Sequence, residues 1–249
     1  MKKAHDSGRI RRAVEEHGRD SHQYLGDLIF GGLDGIVTTF AVVSGVVGAK
    51  LDTRTILILG LANLLADGLS MATGSYLSTK SDREYYDRER ARELYEVQNF
   101  PEGEREELIE VYEKKGYSHE DAVDLVRIQS KNPERWVDAM MVHELGLLPD
   151  ERTPFLAALA TFISFAVAGS VPLIIYVLGG KLGVPPAWEF PSAIAFTGLA
   201  LFTLGAGKHF VTQRSWIRSG FEMLLVGGVA AAVAYLIGYL LRGLGPGAL

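Results

Sequence analysis

Apolar positions gather into five long runs, separated by one large charged block and several short polar links. The first run, Leu25–Ala49, and the second, Ile56–Leu77, are joined by a polar turn over Lys50–Arg54. Runs over Phe155–Leu178, Ser192–Phe210 and Gly220–Leu241 follow the charged block, with a turn predicted over Pro185–Pro191. Each run is close to or above the roughly 20 apolar residues that a helix needs to cross a bilayer. Small residues recur in all of them, which permits close helix contact in lipid. The pattern predicts an all-α membrane protein with five transmembrane helices.

The second run does not stop at the membrane. Its apolar part passes directly into KSDREYYDRERARELYE, residues 80–96, with no proline or glycine between. This predicts one helix that leaves the bilayer and continues into water. If straight, it separates Met71 from Glu93 by about 33 Å at 1.5 Å per residue.

Residues 79–152 read as a helical, acidic insert between spans two and three. Pro101 opens a helix whose first turns carry Glu102, Glu104, Glu106 and Glu107, where acids complement the helix dipole. Gly116 ends it, Ser118 caps the next, and Asn132-Pro133 opens a last helix through Trp136 and Glu144 to Gly146. Residues 1–23 are polar and basic without an apolar stretch, so they do not read as a cleavable signal; a short amphipathic surface helix is expected there. Residues 24–78 form the first membrane unit and 153–249 the second.

Composition adds two exclusions. The chain has no cysteine, which removes disulfides, thiolate catalysis and thiolate metal sites. Its net charge of −5 argues against a nucleic-acid partner. Charge placement also sets an orientation. Lysine and arginine crowd the N-terminal segment and the link containing Lys208, Arg214 and Arg218, whereas the opposite links carry only Lys50, Arg54, Lys181 and Arg242. The positive-inside rule then puts the N-terminus and the insert in the cytoplasm. In a prokaryotic cell the membrane would be the plasma membrane.

Asp34 and Asp67 are the sharpest chemical signals, because each interrupts an apolar run on one of two adjacent antiparallel helices. A carboxylate at mid-bilayer costs roughly 2.5–3.5 kcal/mol even on insertion scales, so it should face the bundle interior and share a proton, a cation or a polar partner. The plainer reading places one or both near an interface. Met71 follows Asp67 by one turn on the same face, and Asn63 precedes it by one turn. Met71 is either packing or a soft ligand beside a carboxylate, a mixed shell that suits a borderline transition ion. Asn63 offers an amide oxygen or a helix–helix hydrogen bond. Glu222, at the start of the fifth span, is either a carboxylate at the cytoplasmic mouth or an interface residue.

In the insert, Glu93/Glu96 and Glu104/Glu107 form two E-x-x-E pairs on successive helices, and Met140, Met141 and Glu144 lie on adjoining turns of the last one. Spacing of three puts both acids of a pair on one face. Two such faces turned together make an oxygen cage for divalent cations; the alternative is a solvated charged face in which Arg90, Arg92 and Arg105 neutralise the acids. Trp136 reads as the core anchor. His119 and His143 fall outside any H-x-x-H pattern and read as surface residues.

GGLDGIVTTFAVVSG, ANLLADGLSMATGSYLSTKS and W-x-x-x-MM-x-x-ELGL, in this five-span order, resemble the vacuolar iron transporter family from about Tyr24 to Leu241. The resemblance implies a homodimer that exchanges Fe²⁺ for H⁺, with a translocation path at the dimer interface and a cytoplasmic metal-binding domain between spans two and three. By position, it implies path residues at Asp34 and Met71. It implies metal ligands at Glu93, Glu96, Glu104, Glu107 and Glu144, with Met140 and Met141 beside them. One departure is Ser75, where many members carry Glu after the glycine of S-M-x-x-G, which leaves Asp67 as a substitute carboxylate.

The leading expectation is therefore a transporter rather than an enzyme, moving Fe²⁺, with Mn²⁺ as a second substrate, out of the cytoplasm in exchange for protons. No prosthetic group is expected; Fe²⁺, Mn²⁺ and Zn²⁺ are candidate transported or bound ions. The alternative is a membrane-anchored ferritin-like ferroxidase built on the E-x-x-E helices. It is disfavoured because di-iron sites of that kind use Glu-x-x-His. A purely structural or sensing membrane protein sits poorly with two intramembrane aspartates.

Overall fold

The computed structural model describes residues 23–209 and 215–242, so the amphipathic helix expected over 1–23 lies almost wholly outside the described residues. The described residues are helical, without a strand. Five helices are long and apolar enough to cross a membrane: α1 (Leu25–Gly48), α2 (Thr53–Asn99), α6 (Pro154–Leu182), α7 (Pro186–Gly207) and α8 (Trp216–Leu241). Three short helices, α3 (Pro101–Lys114), α4 (His119–Gln129) and α5 (Pro133–His143), make the insert with the far half of α2.

α2 is the continuous rod that its sequence predicts. It runs for 47 residues from an Asp52 cap, whose side chain accepts the Thr55 N–H, to Asn99. Phe100 ends it and Pro101 restarts the chain as α3, a position where proline's missing N–H costs nothing. Ser118 caps α4 by accepting the Asp121 N–H, and Asn132 caps α5 by accepting the Arg135 N–H. Gly116 and Gly146 take the left-handed conformation past the ends of α3 and α5.

The membrane part is built around α1, which packs against α2, α6 and α8. Close approach is what its small residues permit. A Cβ on Gly35 would run into the Phe165 carbonyl of α6, and one on Gly238 of α8 into the Gly45 carbonyl of α1. The buried core of this bundle includes Phe40, Val43, Leu64, Phe165 and Leu173. Many outward leucines, isoleucines and valines of the spans stay exposed, as a surface that meets lipid requires. A separate core holds the insert together: Val97 from α2, Leu108 and Tyr112 from α3, Val126 from α4, and Trp136 and Val137 from α5. Trp136, only 3% exposed, is the core anchor its sequence context suggests.

Two expectations are corrected. The turn predicted over Pro185–Pro191 is mostly helix: α7 starts at Pro186 and carries Pro191 inside it. Pro186 at the first helical position has no backbone bond to lose, and Pro191 gives up one within the opening turns. His143 is not a surface residue but half-buried, edge-on to the Tyr112 ring with Lys115 Nζ 2.7 Å from its Nδ1. Burial and that lysine hold its pKa below the usual imidazole range. His119 is exposed as expected and pairs with Glu113.

Candidate functional site

Two polar centres stand on the α2 rod. The outer one lies where α2 and α3 face each other after the Phe100–Pro101 corner. Carboxylate oxygens of Glu93, Glu96 and Glu104 lie within 4.8 Å of one another. Glu93 and Glu104 are 5% and 6% exposed, and one oxygen of Glu104 is buried without a hydrogen-bond partner. Burial of two of these three acids with so little compensation has an electrostatic consequence. Desolvation first, then Glu144, Glu104 and Glu96, push Glu93 up to about 7. Desolvation, then Glu107, Glu96 and Glu144, push Glu104 up to about 7. Glu144, the residue that ends α5, is raised by desolvation and by Glu107 and Glu96. The five glutamates singled out in the sequence thus form one interacting group, although Glu107 and Glu144 are open to solvent.

Counter-charges are sparse. Arg90 is spent on Glu134 and Asp138, and Arg105 on Glu102 and on the face of Trp136. Among the described residues only Arg92 reaches the group, with Nε 3.2 Å from Glu96. A fully neutralised charged face is therefore not what the insert presents. A cluster of buried, partly protonated oxygens can exchange protons for a divalent cation. Met140 and Met141 are both fully buried in the insert's apolar core. Met140 is tied to Glu144, whose N–H donates to its carbonyl at 2.9 Å.

The inner centre is a cleft of about 440 Å³ between α1, α2 and α6, lined by Asp27, Asp34, Met71, Ser75, Thr79 and Arg152 among others. Asp34 and Met71 thus share one cavity. Asp67 is half-buried and near enough to interact electrostatically with Asp34, but it does not line the cleft. Asn63 is half-buried with its amide nitrogen buried and unpartnered. Asn63, Asp67, Met71, Ser75 and Thr79 follow each other at four-residue intervals, so α2 carries a stripe that winds slowly around it as it rises. Ser75 lines the cleft and buries its hydroxyl without a partner. Glu222 is exposed near the start of α8 and is not part of the cleft lining.

Asp27 and Arg152 were not singled out in the sequence. Asp27 sits in the first turn of α1, where an acid reads as a helix-dipole or interface residue, and Arg152 belongs to the charged end of the insert. No periodicity joins residues so far apart in the chain; only the fold does.

Comparisons with known proteins give the chain's relatives. A profile described as the VIT family matches residues 25–239, a range that contains both centres. A protein named vacuolar iron transporter from Toxoplasma gondii is 41% identical over 234 residues, covering 92% of this chain and 78% of that protein. Vacuolar iron transporter 1 from Arabidopsis thaliana is 31% identical over 233 residues, 91% of each chain. The vacuolar iron transporter of Plasmodium falciparum is 35% identical over 250 residues, covering 97% and 90%. With its five membrane-spanning helices and a match running across nearly all of the described chain, this protein belongs to the VIT family.

Proposed function

We propose that the protein transports Fe²⁺ out of the cytoplasm in exchange for protons, with Mn²⁺ as a further substrate, and that it carries out no enzymatic reaction. The observation that carries this reading is the unbroken α2 helix. It joins a buried carboxylate cluster in the insert to a carboxylate–thioether cleft within the membrane-spanning bundle. The named relatives support iron as the cargo.

In this reading Glu93, Glu96, Glu104, Glu107 and Glu144 gather the cation near the membrane, with the Met140 and Met141 thioethers as adjacent soft donors. Asp34 and Met71 bind it in the cleft, and Asp67, Asn63 and Ser75 offer further polar positions along α2. Release on the far side follows when a proton replaces the cation on Asp34. The distribution of lysine and arginine supports a cytoplasmic N-terminus and insert, residues 1–23 and 79–152. A homodimer completes the path, with the cleft facing the partner copy, and Glu222 serves as a cytoplasmic-mouth carboxylate. The ferroxidase alternative finds no support in the cluster, whose close-set ligands are all glutamates.

The test is Fe²⁺ uptake into proteoliposomes under anaerobic conditions, with and without an imposed pH gradient. Uptake that follows the gradient is expected. Uptake indifferent to it would overturn proton exchange. A requirement for O₂ with ferric product would overturn transport as the activity.

A further inference from the structure

The cleft that holds Asp34 and Met71 has a cation of its own at the end nearest the insert. Arg152 belongs to the link between α5 and α6, and it lines the cleft together with Asp27. Its two interactions are unequal. Nε lies 3.1 Å from both oxygens of Asp150, and a terminal nitrogen lies 2.8 Å from one of them, a forked pair that fixes the guanidinium plane. The other terminal nitrogen reaches Asp27 at 3.4 Å, a single long contact. Asp27 is the less accessible acid, with its side chain 12% exposed against 21% for Asp150.

The position matters as much as the pairing. Asp27 precedes Asp34 on α1 by seven residues, about 11 Å along the helix. Thr79, which also lines the cleft, lies a similar rise from Met71 on α2, about 12 Å. Asp27 is thus the first carboxylate in the cleft from the insert side. The arginine that holds it is anchored elsewhere, and the neighbouring Thr153 N–H donates to the Tyr24 hydroxyl, so the link is stitched to the start of α1 at two points.

We propose that Arg152 is an electrostatic latch at the mouth of the cleft: it holds Asp27 through its one weak contact, and an incoming divalent cation must take Asp27 from it. This rests on the reading of the cleft as the cation path. The forked Asp150 pair keeps the guanidinium in place once Asp27 has been surrendered, so the latch can close again behind the ion. Arg152 is a positioning residue for Asp27, not a ligand.

The test is the concentration dependence of Fe²⁺ uptake by the full chain in proteoliposomes. Arg152→Gln removes the competitor and should lower the apparent KM roughly 1.5- to fivefold, the span expected for a partly screened ion pair. Asp150→Asn frees the whole fork for Asp27 and should raise it. Both shifts should vanish in an Asp27→Asn background. A purely structural staple predicts neither the opposite signs nor the silencing. Unchanged KM in both variants, or equal shifts with and without Asp27, overturns the latch while leaving transport intact. If Arg152→Gln fails to fold, Asp150→Asn decides alone, and an unchanged or lowered KM overturns the proposal. Absence of wild-type uptake overturns the transport reading and the latch with it.

Discussion

Glu93 on α2 and Glu104 on α3 bring carboxylate oxygens within 4.8 Å of each other at sites that are each less than a tenth exposed. Burial first, and then the neighbouring glutamates, push each of them up to about 7. Metal binding must therefore displace protons near neutral pH. Titration of the full protein in detergent with Zn²⁺ or Fe²⁺, in buffers of different ionisation enthalpy, should report proton release. Affinity should fall as pH drops from 8 to 6. Affinity that does not change across that interval contradicts a site built on these two residues.

Glu104→Gln should act in opposite directions on stability and on binding. In the folded protein the carboxyl holds its proton up to about 7, whereas the unfolded chain releases it near 4.5. The native state then binds more protons than the unfolded one in that window, so its stability falls as pH rises through it and stays lowered above about 7. The amide removes this penalty without removing the shape. Thermal unfolding at pH 8 without metal should rise relative to wild type, while the stabilisation produced by added Zn²⁺ should shrink. A lower melting temperature without metal would mean that the side chain is needed as a charge by the fold itself.

The α1–α6 crossing makes a separate prediction about the bundle. Gly35→Ala puts a methyl group against the Phe165 backbone, which no rotamer change can relieve, so it should cost about 1–3 kcal/mol. Gly103→Ala, in α3 with nothing within 4 Å of the new Cβ, should be neutral or stabilise by up to about 1 kcal/mol through helix propensity. Unfolding in detergent followed by tryptophan fluorescence compares the two. Equal effects would show that α1 and α6 do not pack as closely as described.

The two centres differ in how far the sequence reveals them. α2 was legible as one rod because its charged half follows its apolar half without a breaker, and the E-x-x-E pairs were legible because spacing alone fixes a helix face. Proximity of Asp34 and Asp67 followed from two antiparallel helices joined by a short turn. Burial was not legible: the same pattern suits a solvated acidic face, and only packing of α3 and α5 against α2 removes Glu93 and Glu104 from water. Met140 and Met141 illustrate the same limit, since helical spacing does not reveal that both are buried beside the glutamates' helices. Arg152 and Asp27 lay beyond reach because their contact depends on how the insert returns to the membrane. The start of α7 was obscured by reading three nearby prolines as a turn, where the first helical position in fact accommodates one.

Asp34 is the residue whose loss should separate transport from metal capture. It shares a cleft with Met71 and lies within the electrostatic reach of Asp67, inside a segment built to cross lipid. An ionised carboxylate there is tolerated only when something compensates its charge, and a proton or a bound cation each do so. A group that alternates between the two is the minimum chemistry of an exchanger. Asp34→Asn keeps the shape and the hydrogen-bonding capacity but cannot alternate in charge. Uptake of Fe²⁺ driven by a pH gradient should be lost, while the purified variant still folds and its insert still binds Zn²⁺ with wild-type affinity, because that cluster lies at the other end of the α2 rod. Met71→Leu removes the soft donor and leaves the carboxylate, so it should weaken uptake and narrow the preference for Fe²⁺ over Mg²⁺. Removal of Glu93, Glu96, Glu104 and Glu107 together should depress uptake mainly at low metal concentration, as loss of a gathering site would. Gradient-driven uptake by Asp34→Asn at the wild-type rate across metal concentrations would remove this residue from the mechanism and with it the account of proton exchange given above.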